Sequence, residues 1–360
     1  GKVLYVWLDA PIGYITATME WCEQNGQDWR DWWQDPEADL IHFIGKDNIV
    51  FHCIIFPILL KEHGGYNLPT NVPANEFMNL EGDKISTSRN WAVWVTENLE
   101  DFPEGSDAMR YVLTAIMPEQ KDSEFTWSDF RDKVNNELAD VLGNFVNRVL
   151  VLTRKYYDGA VPAAPADDAL DATDRALLNT LAAAPAKVGD LIARHRYKEA
   201  QLEAMNLARL GNKYLTEQEP WKLQKTNPAR TATIMHLTCQ VVGNCAVLLE
   251  PFLPQTAGKI AAAFGVSDAC WNDARPDLVS AGTVLGDLPI LFAKIDDETV
   301  AAQVAKLGQK GDASDTSTRD IMPAKDEITF DDFSKLDLRV GTVLECEKIP
   351  KADKLLKLTV

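Results

Sequence analysis

LIHFIGKDNIVFHCIIFPILLKEHGG, residues 40–65, reads as strand, turn and helix in that order. Leu40 to Ile44 is a short apolar run closed by Gly45, the pattern of a strand buried on both faces. From Asn48 to Glu62 apolar residues recur at helical spacing until Gly64 and Gly65 stop them. An earlier run, Val3 to Leu8, ends in a turn at Asp9, Ala10, Pro11 and Gly13. Strands and helices alternating in this way predict an open α/β sheet, whose ligands sit at the carboxyl ends of its strands. The first residues read as a strand already under way, so the chain is expected to start inside a domain.

Beyond Ser128 the pattern changes. Val134, Leu138, Val141, Phe145, Val149 and Leu152 repeat at threes and fours, and similar patterns fill 170–215 and 229–250, which predicts a helical bundle. Residues 296–327 hold acidic, Gly, Ser and Thr residues without aromatics, the composition of a linker. Alternating apolar and polar residues return at Leu336 to Leu344 and at Leu355 to Val360, as in strands opening a small β domain.

Composition narrows the function. The chain of 360 residues is 46% apolar, enough for two or three cores. Its 36 basic against 54 acidic residues, a net of -18, exclude binding of nucleic acid through bulk charge, so any RNA contact must be local. Six scattered cysteines form no CxxC pair, which argues against a zinc knuckle or a disulfide framework and for reduced thiols in the cytoplasm. No apolar run is read as a membrane span and no signal peptide is seen.

The segment of greatest chemical interest is Gly82-Asp83-Lys84-Ile85-Ser86-Thr87-Ser88-Arg89. A Gly-led loop dense in hydroxyls, with a lysine and an arginine, can bring positive charge onto a polyphosphate as pyrophosphate leaves. A polar surface turn is the competing reading of the string alone. Gly45 permits close approach of backbone to a nucleotide, and Asp47 can accept from ribose hydroxyls or cap the helix that follows. Asn48, His52 and Phe56 are four apart and share one helix face. Asn144 and Arg148 are likewise four apart, beside the apolar stripe of their helix, able to meet unstacked bases or simply to edge a solvated surface. Trp221, after Pro220, offers a stacking platform.

In context these segments resemble the methionyl-tRNA synthetase family of class I synthetases. Residues 82–89 resemble the family's KMSKS loop, Tyr5-Val-Trp-Leu-Asp-Ala-Pro-Ile-Gly-Tyr14 its methionine-pocket strand, and His42-Phe-Ile-Gly-Lys-Asp47 a third motif in the expected order. The resemblance implies α/β followed by all-α: the second half of a Rossmann-like nucleotide-binding sheet (1–100), a connecting segment (101–132), an anticodon-binding bundle (133–295), a linker (296–327) and the start of an oligonucleotide-binding barrel, or OB-fold (328–360). It implies activation of methionine with ATP and Mg, then transfer to tRNA(Met). Lys84, Ser86, Ser88 and Arg89 become the catalytic set, and Gly45, Asp47 and Lys84 the ATP set. Trp7, Ala10, Pro11, Tyr14, Asn48, His52 and Phe56 become the methionine slot, with core packing the alternative for Trp7 and Phe56. The run Leu142 to Arg148 is similar to the family's anticodon helix, so Asn144, Arg148 and Trp221 become the anticodon set.

Phe333 to Gly341 and Ile349 to Leu355 resemble the opening of the appended tRNA-binding barrel, which implies tRNA contacts at Lys351 and Lys354 and a homodimer through that module, against a charged turn. Two departures stand out. Thr87 occupies the place of the usual second loop lysine, and Ile349 that of a usual histidine. The HIGH-type motif and the zinc-binding insertion of the family belong upstream, so zinc is expected only there and the fragment alone is expected to be inactive. A non-catalytic tRNA-binding paralogue is the rival reading; a class I synthetase for another aliphatic amino acid is a weaker one.

Overall fold

The computed structural model describes residues 10–102 and 105–309, together with the backbone of 345–348 and 356–359. The chain divides into two compact units, one drawn from residues 1–38, 51–68 and 312–360, the other from 39–50 and 69–311.

The first unit holds α1 (Ile12–Asn25), the short α2 (Arg30–Trp33), a π-helical turn at Phe51–Ile55 and α3 (Phe56–His63). Ile15, Cys22, Trp33, Phe56 and Leu60 form its buried side. The indole of Trp33 donates to Thr18 Oγ1 at 2.9 Å, so a large apolar ring is buried without stranding its N–H. Pro57 lies in the first turn of α3, directly after the π-helical turn, so the proline that interrupts the α-helical ladder coincides with the wide turn.

The second unit begins at β1 (Ile44–Gly45), parallel to β2 (Ala74–Asn75) with Ile44 opposite Ala74. The strand expected over Leu40–Ile44 is thus shorter, joined by one bridge between Ile41 and Asn71. Pro73 explains the gap. His42 N donates to Asn71 O and Ile44 N to Pro73 O, both at 3.1 Å, but proline has no N–H to return between them.

A second sheet has the order β4 (Asp83–Lys84), β3 (Met78–Leu80), β5 (Ser123–Phe125), with β3 antiparallel to β4 and parallel to β5. The segment read as a connection therefore supplies a strand to the sheet that carries Lys84. Between β4 and β5 run α4 (Val95–Asp101) and α5 (Ser106–Ala115).

The bundle follows: α6 (Trp127–Lys133), a π-helical stretch (Val134–Gly143), α7 (Asn144–Tyr157), α8 (Ala172–Ala193), α9 (Tyr197–Gln218), α10 (Pro220–Leu223), α11 (Pro228–Leu249) and α12 (Pro254–Phe264). α11 is apolar all round and long enough to cross a membrane, yet 94% of its apolar window is buried among the other helices. It is the core helix of the bundle. One apolar cluster runs from Leu80 through Phe125, Trp127 and Phe130 into Leu138, Phe145, Leu215 and Leu248. The loop-bearing sheet and the bundle thus share a core.

Where α9 crosses α7, a β carbon on Gly211 would fall 2.2 Å from the ring of Phe145, which is fully buried. Gly211→Ala is expected to lower stability by about 1–3 kcal/mol, despite alanine's better helix propensity, because the ring has no room to retreat. Urea unfolding followed by circular dichroism measures it, and a stabilised variant would mean that the helices can part freely.

Residues 297–306, expected within a linker, instead form α13 (Asp297–Lys306). Asp296 caps it by accepting from Thr299 N at 2.8 Å, and Arg131 pairs with Asp297. At the far end only β6 (Glu345–Lys348) and β7 (Leu356–Thr359) are described, paired antiparallel. The rest of the expected OB-fold, with Lys351 and Lys354, lies outside the described residues, as does Trp7.

Candidate functional site

Three of the residues assigned to the methionine slot meet in the first unit. Tyr14, 45% exposed on α1, shares a 3.0 Å hydrogen bond between its hydroxyl and His52 Nε2. Its ring centroid lies 5.8 Å from that of His52 and 6.3 Å from that of Phe56. His52 and Phe56 are buried. The π-helical turn at Phe51–Ile55 carries His52, and such wide turns are frequent at functional sites. Trp33 packs edge-on to Phe56 at 6.2 Å and was not anticipated, since nothing local distinguishes it from its neighbour Trp32, which is exposed. Pro11 is buried before α1, and Ala10 is exposed.

In the second unit, Gly45 leads into a 3-10 turn, Lys46–Asn48. The Asp47 carboxylate folds back over it, so a β carbon on Gly45 would sit 2.7 Å from Asp47 Oδ1. The N-cap of that turn is Gly45, and Asp47 lies inside the turn rather than at its cap. Lys46 is held instead by Glu76 at 2.5 Å and Asp122 at 2.7 Å, with its ammonium 4.4 Å from the ring centre of Phe77. Hydrogen bonds to Asp122 and Glu76 raise its pKa. The two charges of the motif are therefore divided: Lys46 fastens β1 to the neighbouring chain, and Asp47 stays exposed.

The hydroxyl-rich loop is built on a two-residue hairpin. Glu81 and Gly82 both have positive φ, which matches the twist of the flanking strands β3 and β4. Lys84 follows, exposed. Ser86 and Ser88 hydroxyls lie 3.2 Å apart, and Arg89 Nη2 donates to Lys84 O at 3.2 Å. Reciprocal backbone bonds between Ser86 and Trp91, at 2.8 and 2.9 Å, close the loop, and the Trp91 indole donates to Leu80 O at 2.8 Å. Beyond it, Asn90 Nδ2 donates to Gln309 O at 2.7 Å and Gly308 N to Asn90 O at 3.0 Å. The base of the loop is thus fixed from two sides. Among the described residues neither Lys84 nor Arg89 has a carboxylate partner.

On the bundle, Arg148 and Trp221 come together from α7 and α10. The guanidinium carbon is 5.6 Å from the Trp221 ring centre, and Trp221 is 40% exposed. Glu219, with positive φ, turns the chain between α9 and α10, and Pro220 is buried beneath the turn. Asn144 is exposed one turn before Arg148 and borders a cavity of 210 Å³ between α7 and residues 288–294.

Residues 1–150 match the model of class I tRNA synthetases of the methionine type, and residues 164–312 that of the anticodon binding domain of methionyl tRNA ligase. The chain is 53% identical to the methionine–tRNA ligase of Flavobacterium psychrophilum and 54% identical to that of Parabacteroides distasonis; each alignment covers 100% of this chain and 52% of the relative. The apo methionyl-tRNA synthetase of Mycobacterium tuberculosis superposes with a TM-score of 0.68 at 28% identity, over 82% of this chain and 56% of that one. Its crystal structure bound by methionyl-adenylate superposes with a TM-score of 0.69 at 28% identity, over 81% and 56%. The chain thus spans about half the length of the curated relatives it matches. With a catalytic match followed in order by an anticodon-domain match, and with half-length kinship above 50% identity, this chain belongs to the methionyl-tRNA synthetase family.

Proposed function

We propose that this chain is the part of a cytoplasmic methionine–tRNA ligase that carries the second half of the catalytic sheet and the anticodon bundle. The observation that carries the reading is the Gly82–Arg89 loop, in which two cations have no carboxylate partner among the described residues of a chain of net charge -18. Lone cations in such a chain suit a polyanionic substrate.

In the proposed reaction the methionine carboxylate attacks the α-phosphorus of ATP, the bond to the bridging oxygen breaks, and pyrophosphate leaves. A ribose hydroxyl at the tRNA terminus then takes the aminoacyl group and releases AMP. The residues position and neutralise; none acts as a nucleophile. Lys84 and Arg89 meet the charge that builds on the pyrophosphate, with Ser86 and Ser88 as hydrogen-bond donors. Gly45 and Asp47 receive the ribose. Mg, when bound with ATP, adds further neutralisation of the phosphates. Tyr14, His52 and Phe56, with Trp7, Ala10, Pro11 and Asn48, form the slot for the thioether, whose polarisable sulfur suits aromatic walls. Asn144, Arg148 and Trp221 take the anticodon of tRNA(Met), and the C-terminal module adds tRNA contacts at Lys351 and Lys354 and a dimer interface.

Methionine-dependent exchange of labelled pyrophosphate into ATP by the complete gene product tests the reading. Exchange that requires methionine and ignores leucine and isoleucine is the expected result. Tight binding of tRNA(Met) with no exchange for any amino acid would replace it with the non-catalytic paralogue.

A further inference from the structure

The anticodon set includes an arginine whose orientation is dictated from a neighbouring helix. Arg148 Nη1 donates to Asn212 Oδ1 and to Thr216 Oγ1, each at 3.2 Å. Those two bonds use both hydrogens of Nη1. Among the described residues the Nε and Nη2 hydrogens meet no protein acceptor, and no carboxylate pairs with this arginine.

Asn212 is itself fixed. Its Nδ2 donates to Val141 O at 2.8 Å, in the π-helical stretch that precedes α7. The amide therefore cannot flip without losing that bond, and its oxygen must face Arg148. The neighbouring Gly211 admits the ring of Phe145, which brings this turn of α9 within reach of α7. Trp221 covers one face of the guanidinium. Stacking on Trp221 takes none of the N–H groups, so Asn212 and Thr216 between them leave the arginine one fork of two parallel donors.

We infer that Asn212 and Thr216 are specificity-determining positioning residues: they hold Arg148 so that its Nε and Nη2 edge reads a base with two adjacent acceptors. This rests on the anticodon reading of the bundle given above. Cytosine offers such an edge at O2 and N3, and guanine at O6 and N7. Uracil and adenine each place a donor beside their acceptor and leave one arginine hydrogen unmet. An arginine free to rotate would donate to any single acceptor and discriminate less.

The test uses the full chain and two labelled RNA stem-loops, one with the methionine anticodon and one with its cytosine replaced by uracil. Wild type is expected to favour the cytosine loop by roughly tenfold or more, the range of one good bidentate contact. Thr216→Val, an exposed change that leaves the fold intact, and Asn212→Ala are each expected to reduce that ratio severalfold, and together to bring it close to one. Thr216→Ser should keep it. Trp221→Ala should weaken both loops alike and leave the ratio in place. A merely structural role for the pair would lower both affinities equally, so an unchanged ratio in the double variant overturns the inference while the anticodon reading stands. Failure of wild type to bind either loop overturns both.

Discussion

Replacing Arg230 by alanine is expected to destabilise the bundle by about 3–5 kcal/mol, the range for breaking a buried ion pair from one side. Asp174 has no exposed side-chain surface, and Arg230 covers it with Nη1 on Oδ2 and Nη2 on Oδ1, the latter at 2.9 Å. The same guanidinium reaches Asp171 Oδ2 at 2.9 Å and Gln218 Oε1 at 2.7 Å. It therefore joins the start of α8, the end of α9 and the start of α11. Tyr214 adds its hydroxyl to Asp174 Oδ1 at 2.6 Å, and burial, with Asp174 nearby, pushes that phenol far above its ordinary pKa, so it remains a donor. Burial by itself raises the Asp174 pKa, but hydrogen bonds from Arg230, Tyr214 and the Asp171 backbone outweigh it and hold the carboxyl below the usual range.

The pH dependence follows with a definite sign. A carboxyl whose folded pKa is depressed stabilises the fold above its unfolded value, about 4, and loses that contribution as pH falls through the folded value. Without Arg230 burial dominates and Asp174 becomes easier to protonate. The gap between wild type and Arg230→Ala is therefore expected to be widest near neutral pH, to narrow as pH falls through the variant's raised pKa, above about 4, and to close once pH falls below the lowered wild-type value. Urea unfolding at a series of pH values measures both. A loss under about 1 kcal/mol at neutral pH would show that water replaces the guanidinium without penalty.

The sequence carried the elements further than their joins. Strand, glycine and helix over residues 40–65 were legible because an apolar run and helical spacing are local patterns, but the expected burial of the strand on both faces is overturned, with Ile41 and Phe43 exposed, and the shortness of β1 is set by Pro73 on the partner strand. The apolar repeat from Val134 has the threes and fours of an α-helix, and nothing in it marks the wider π-helical turns, so they stayed hidden. α13 was read as linker because its residues are small and polar. What holds it is distant: Arg131 pairs with Asp297, and Gln303 and Lys306 both reach Asp101. The site shows the same division. Tyr14, His52 and Phe56 were legible from motif and spacing, whereas the partners that fix charged groups, Glu76 and Asp122 on Lys46 or Asn212 on Arg148, lie 30 to 76 residues away, beyond any periodicity.

In the complete protein, Lys84→Ala is expected to slow adenylate formation by roughly 10²–10³-fold, the effect of removing one preorganised group from a developing anion, with the KM for methionine within about twofold of wild type. The structure makes this a clean test of charge. Lys84 lies on β4 with its side chain exposed, while its backbone is paired with Asn79 and its carbonyl is held by Arg89. Loss of the ammonium therefore leaves the hairpin standing, and stability should stay within about 0.5 kcal/mol, as for an ordinary surface change. Arg89 is not its equal, because its guanidinium is already engaged in bracing the loop, and Arg89→Ala should disturb the loop as well as its charge. Thr87 supplies the decisive control. It opens the turn Thr87–Arg89 where the family usually places a second lysine, so Thr87→Lys in the Lys84→Ala background returns one positive charge to the same loop. If neutralisation of leaving pyrophosphate is what Lys84 provides, the double variant should recover part of the exchange rate. Pyrophosphate exchange unchanged by Lys84→Ala, or a double variant no faster than the single one, would move the chemistry away from this ammonium and toward the placement of ATP by the rest of the site.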